Sequence, residues 1–138
     1  MDCVFCKIVE GVLPSLIIYE NEQIKCIVPK KMEVYGHTLI IPKQHFENIW
    51  DIPSEHLHCI SDAAQYLSFL FKKKLGATGI NLLHASGVDA GQTVFHFHLH
   101  VFPRFTEDGI DAWPHLPQKE FDKNVFVQKI LSTDKIQF

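Results

Sequence analysis

Three histidines stand at every second position in the run Gly91-Gln92-Thr93-Val94-Phe95-His96-Phe97-His98-Leu99-His100-Val101-Phe102. The alternation predicts an unbroken β-strand, with Val94, His96, His98, His100 and Phe102 on one face and Phe95, Phe97, Leu99 and Val101 on the core face. Same-face residues of a strand lie about 6.6 Å apart, so the three imidazoles line roughly 13 Å of one rigid ridge. A face built for water would carry Lys, Glu or Thr instead. Imidazole titrates near neutrality and serves as nucleophile, general base or metal ligand, so the row is a candidate site. Two chemistries fit it. The His-x-His spacing can chelate a hydrolytic zinc through three histidines and a water. Alternatively, one imidazole attacks phosphorus while neighbouring donors hold the phosphate oxygens. The preceding turn supplies such donors: Gly91 lets backbone amides approach a ligand closely, and Gln92 and Thr93 add neutral side-chain donors.

A second group of chemically competent residues opens the chain. Cys3-Val4-Phe5-Cys6 is a C-x-x-C, readable as a redox pair, half a zinc site or coincidence. A redox pair belongs at the start of a helix that follows a strand, and only two residues precede Cys3. A zinc site needs two further ligands, for which His45 and His96 are the candidates. Cys26 and Cys59 read as small buried hydrophobes of a reducing compartment. His37 and His45, each taken alone, read as ordinary strand-end histidines.

The elements that must position these groups follow from period and punctuation. A helix-like turn is expected at residues 7–10, and Gly11 and Pro14 break the chain after it. Strands are expected at 16–19 and 23–28, joined by Glu20-Asn21-Glu22 as a hairpin, and at 37–42 between Gly36 and Pro42. From Pro53 to Lys74 the period becomes helical: Leu57, Ile60, Ala64, Leu67 and Phe71 form an apolar stripe. Pro53 suits the first turn, Lys72-Lys73-Lys74 the negative end of the dipole, and Gly76 the stop. His56 and His58 are expected at the surface. Residues 80–85 form a strand that turns through 86–91 into the histidine run, making a second hairpin. Residues 104–116 read as an irregular tail and 120–131 as a short C-terminal helix.

Composition bounds the class. The 138 residues, 46% of them hydrophobic, suit a single domain with a proper core. Net charge is −3, and Arg104 is the only arginine among 13 basic residues, which disfavours duplex nucleic acid as a partner and excludes an arginine cluster as a phosphate clamp. With no signal-peptide pattern and no apolar run of transmembrane length, a cytoplasmic protein without membrane association is expected.

The run from Gly91 to Phe102 resembles the signature of the histidine triad nucleotide-binding family. Cys3-Val4-Phe5-Cys6-Lys7-Ile8 and Gly36-His37-Thr38-Leu39-Ile40-Ile41-Pro42-Lys43-Gln44-His45 are similar to that family's N-terminal and strand motifs, in the same order and separation. The resemblance covers roughly residues 3–105 of a single domain spanning 1–138, leaving 106–138 as a C-terminal tail, and points to the bacterial-type nucleoside phosphoramidase or nucleotide hydrolase branch. It implies an α+β fold with a five-stranded antiparallel sheet and one long helix, dimerising into a ten-stranded sheet. It further implies that His98 is the nucleophile forming a nucleotidyl-imidazole intermediate, that His100 and His37 flank the phosphate, and that Gly91, Gln92 and Thr93 hold its oxygens or the leaving group. The substrate would be a nucleotide or nucleoside phosphoramidate, and a structural zinc would sit on Cys3, Cys6, His45 and His96. The contrasting reading is a nucleotide-binding or protein-interaction module that keeps the fold and zinc with little turnover. Two positions depart from the pattern. Pro29 stands where the family commonly has an acidic residue for the ribose hydroxyls, and Ala85 where it has an asparagine beside the phosphate.

Overall fold

The computed structural model describes residues 2–132 and 136. Its elements are helix α1 (Val4–Val9), strands β1 (Ile17–Glu20), β2 (Ile24–Ile27) and β3 (Thr38–Pro42), the long helix α2 (Ser54–Leu75), strand β4 (Gly79–Leu83), a 3-10 turn (Val88–Ala90), strand β5 (Leu99–Arg104) and helix α3 (Lys123–Ile130). The five strands form one antiparallel sheet in the order β1-β2-β3-β5-β4, an α+β architecture.

Period-two alternation explains why β2 and β3 are buried along their whole length. Ile24, Cys26 and Ile40, with Val101 of β5, face α2, which presents Ile60, Ala63, Ala64, Leu67 and Phe71. Ile27, Leu39 and Ile41 face the opposite way and pack against Cys3 and Phe5 around α1. The short α1 is further held by Lys25, whose buried ammonium reaches the carbonyls of Ile8 and Val9 at 3.4 Å, at the negative end of the helix. Helix α2 stops at Gly76, whose φ of 72° favours a residue without a Cβ and whose N–H caps the Phe71 carbonyl. Among the described residues no helix is long and apolar enough to cross a membrane.

Three expectations need correction. The histidine run is not one strand: β5 begins only at Leu99, and residues 91–98 form turns and coil. Continuing the β3–β5 register would place Phe97 opposite Pro42, yet the Phe97 N–H donates instead to the Phe46 carbonyl at 2.6 Å, so the chain peels off the sheet there. Phe95 is consequently 43% exposed rather than core, whereas His96 is completely buried. Helix α1 begins three residues earlier than expected because the Cys3 thiol accepts from the Cys6 N–H and caps it. His56 is half-buried, its ring edge-on to Phe46 at 4.8 Å, while His58 is exposed as anticipated. The remaining element edges lie within a few residues of the expected ones.

Candidate functional site

His96 leaves the ridge because it belongs to another cluster. Its Nε2 donates to the Pro42 carbonyl at 2.8 Å, and since a carbonyl only accepts, the proton is on Nε2 and the lone pair on Nδ1. That Nδ1 faces the Cys3 thiol at 3.4 Å, the Cys6 thiol at 3.6 Å and His45 Nδ1 at 3.1 Å, while Cys6 and His45 are 3.3 Å apart. All four donor atoms lie within 4.8 Å of one another. Tetrahedral zinc with ordinary Zn–N and Zn–S bonds has ligand–ligand edges of roughly 3.3–3.8 Å, so the cluster fits that ion. Burial pushes His96 down to about 4, which keeps it neutral as a ligand must be, and burial together with the neighbouring Cys3 pushes the Cys6 thiol up to about 11. A bound cation would reverse the latter, drawing the proton off the thiol. With four protein donors the site is of the closed, structural kind. His98 and His100 are not among the ligands, so a catalytic zinc held by all three triad histidines is not built here.

The chemistry on the other side of residue 96 is organised by His98. Its Nδ1 donates to the His96 carbonyl at 2.8 Å, which leaves the Nε2 lone pair free, and Phe5 packs edge-on against the ring at 5.2 Å. His100 follows at 5.0 Å between ring centroids. His100 Nδ1 lies 2.9 Å from His37 Nε2, so this pair shares one proton between two nitrogens, and His37 is stacked on Phe102 at 4.3 Å. His37 enters this position through Gly36, where φ is 83° and any Cβ would strike the Pro103 ring. Burial lowers His98 and His37, and pushes His100 down to about 4, so all three favour the neutral imidazole near neutral pH.

The turn before the triad behaves differently from expectation. Gln92 is 5% exposed and its side chain is fully engaged: Oε1 accepts from the Gly87 N–H at 2.8 Å, and Nε2 donates to the Glu47 and Val94 carbonyls at 2.7 and 3.1 Å. The Gly91 and Gln92 backbone amides close the 3-10 turn onto Val88 and Gly87. Thr93, by contrast, is exposed and has no hydrogen-bond partner among the described residues. Of the predicted trio, only Thr93 therefore has an uncommitted side-chain donor.

A cleft of about 650 Å³ opens between α1 and the sheet. Phe5, Ile8, Leu16, Ile27 and Leu39 give it apolar walls, with Pro29 and Lys30 also lining it. Phe5 also touches His98, and Leu39 is the register partner of His100, so the cleft adjoins the triad. Among the described residues no carboxylate lines it. One residue of the site escaped the sequence reading: His84 donates from Nδ1 to the His98 carbonyl at 2.9 Å. The signal was available in the second hairpin, because a strand at 80–85 turned back onto the histidine run brings a fourth imidazole beside the triad.

The HIT domain family matches residues 10–107 of the chain. A solved structure of a HIT family member from Bacillus subtilis, 29% identical, superposes with a TM-score of 0.84 over 99% of this chain and 100% of that one. A zinc-bound histidine triad family protein from Mycobacterium smegmatis is 39% identical, with a TM-score of 0.77 over 81% of both chains. A HIT family hydrolase from Clostridium thermocellum is 37% identical, with a TM-score of 0.68 over 84% of this chain and 97% of that one. With that match over most of its length, a five-stranded sheet crossed by one long helix, and a Cys₂His₂ cluster suited to zinc, the chain belongs to the histidine triad (HIT) domain family.

Proposed function

We propose that this protein is a hydrolase that cleaves a phosphoramidate or phosphoanhydride bond at the α-phosphate of a nucleotide. The observation that carries the reading is the tautomer of His98: with Nδ1–H held by the His96 carbonyl, Nε2 offers an unencumbered lone pair beside an apolar cleft of nucleoside size. Nε2 attacks phosphorus, the bond to the leaving group breaks, and a nucleotidyl-imidazole remains. Water then attacks the same phosphorus and returns His98 to its neutral form. The His37–His100 pair, with its shared proton, supplies a donor to the phosphate oxygens. Gly91 and Gln92 shape the turn that presents Thr93.

The Cys3, Cys6, His45 and His96 set would hold a zinc ion whose contribution is structural, tying α1, the segment after β3 and the segment before β5 together. The kinship with a HIT family hydrolase supports hydrolysis as the reaction class. We further propose a single-domain cytoplasmic homodimer acting on a nucleotide or nucleoside phosphoramidate, with no nucleic acid or membrane partner. The deciding experiment is rapid quench with adenosine 5′-phosphoramidate followed by intact-protein mass spectrometry. A transient gain of one adenylyl group on His98 is expected. Binding without that adduct and without turnover would instead mark a nucleotide-binding module, a reading favoured by the missing carboxylate in the cleft.

A further inference from the structure

Strand β4 ends at Leu83, opposite His100, and the ladder that would continue toward His98 is replaced by a side chain. His84 Nδ1 lies 2.9 Å from the His98 carbonyl oxygen, and because that oxygen only accepts, Nδ1 carries the proton. Nε2 is then bare and faces the Ser86 hydroxyl at 2.5 Å, which donates to it. The same hydroxyl oxygen accepts from the Ile49 N–H at 2.9 Å. Every proton in the sequence Ile49 N–H, Ser86 O–H, His84 Nδ1–H has one place, and the imidazole at its centre is held in a single tautomer. The ring is stacked on Phe97 at 4.2 Å and 22°, which fixes its plane as well.

We propose that His84 is a positioning residue of the active site: its Nδ1–H anchors the carbonyl of His98 and thereby sets the direction in which the His98 ring presents Nε2. The proposal rests on the reading of His98 as nucleophile. The ladder with β3 ends at the Ile40–Leu99 pair, so His98 itself has no register partner. Beyond that end two carbonyls hold it: that of His96 receives the proton of the His98 ring, and that of His98 receives the proton of the His84 ring. Freed from His84, the His98 carbonyl loses its side-chain anchor and the terminal peptide of the ladder can tilt about the Ile40–Leu99 pair, carrying the His98 Cα and ring with it. Misplacement of a reacting atom by about 1 Å can cost about 100-fold in rate. Through Ser86 the anchor also reaches the segment holding Ile49, making the orientation of the nucleophile dependent on two loops outside the sheet.

The test compares four variants in single-turnover and steady-state assays with adenosine 5′-phosphoramidate. His84→Phe keeps the stacking on Phe97 and removes the donor; adduct formation and kcat are expected to fall about 10- to 30-fold with KM within about twofold. His84→Asn puts an amide N–H where Nδ1 stood and is expected to recover kcat to within about threefold of wild type. Ser86→Ala leaves ring and stacking but lets the tautomer drift, for an expected loss of about three- to tenfold. His98→Ala is the control: activity retained there overturns the nucleophile assignment and the proposal with it. With His98→Ala inactive, wild-type kcat in His84→Phe overturns the positioning role alone, as does equal impairment of the Phe and Asn variants or a loss confined to KM. Should His84→Phe fail to fold, wild-type kcat in Ser86→Ala overturns it.

Discussion

His98 and His100 are two residues apart, yet their nitrogens are committed in opposite ways. The ring proton of His98 is held by a backbone carbonyl, so its outward nitrogen is always a lone pair, whereas His100 faces His37 and the two rings divide one proton between them. In the proposed mechanism attack on phosphorus falls to His98, and replacement by Ala or Asn is expected to lower turnover about 10³-fold with an unchanged unfolding transition. A variant keeping a tenth of wild-type turnover would refute the assignment. On the binding side, Pro29 offers neither an acceptor side chain nor an amide to a sugar, and no carboxylate among the described residues lines its cleft. A charge-assisted hydrogen bond to a ribose hydroxyl contributes about 1.5–3 kcal/mol, and Pro29 could not supply it to the proposed nucleotide. The 2′-deoxy substrate is expected to match the ribonucleotide in kcat/KM within about threefold, and Pro29→Asp to favour the ribonucleotide selectively. Paired kcat/KM measurements on wild type and variant check this, and a wild-type preference of about a hundredfold for ribose would contradict it.

At the scale of elements, the segment between the 3-10 turn and β5 is held by the cluster on one side and Gln92 on the other. His96 is tied to Pro42 and to the donors of α1 and His45, and Gln92 ties the turn to Glu47. Cys3→Ser with Cys6→Ser is expected to abolish zinc binding, by elemental analysis, and to lower unfolding free energy by a few kcal/mol, on the order of other structural metal sites lost from small domains. A wild-type protein purified without chelators and free of zinc would contradict the assignment. The four ligands and the long helix were legible beforehand because side-chain chemistry and the spacing of Ile60, Ala64, Leu67 and Phe71 are local signals. The break in the histidine strand was not. Alternation alone cannot distinguish a histidine buried in a tertiary cluster from one on a strand face, and Phe97 pairs with Phe46, fifty-one positions away. The engagement of Gln92 and the reach of His84 to His98 were hidden for the same reason: both depend on loops whose paths no periodicity encodes.

At the scale of the molecule, β4 is an edge strand and α2 runs close to it, and the apolar surface they share faces outward. Phe69 is 66% exposed and Leu82 49%, and with Ala64, Ile80 and Leu99 they line a groove of about 390 Å³ between helix and strand. An exposed edge with apolar neighbours is a surface that soluble chains ordinarily cover, and two-fold pairing of β4 with its copy would cover it while making one continuous sheet of twice five strands. The arrangement is self-complementary, since each copy contributes the same strand edge and the same helix face. Sedimentation equilibrium is therefore expected to give about 32 kDa, twice the 15.9 kDa chain. Phe69→Glu combined with Leu82→Glu would place four carboxylates in the paired interface, where burial of unpaired charge costs several kcal/mol per ion, and should shift the mass toward that of one chain. The same double variant tests whether the triad needs the second copy, because both substitutions lie outside the apolar cleft beside His98. A wild-type protein that sediments as a monomer at every concentration would remove the dimer and leave β4 as an uncovered edge.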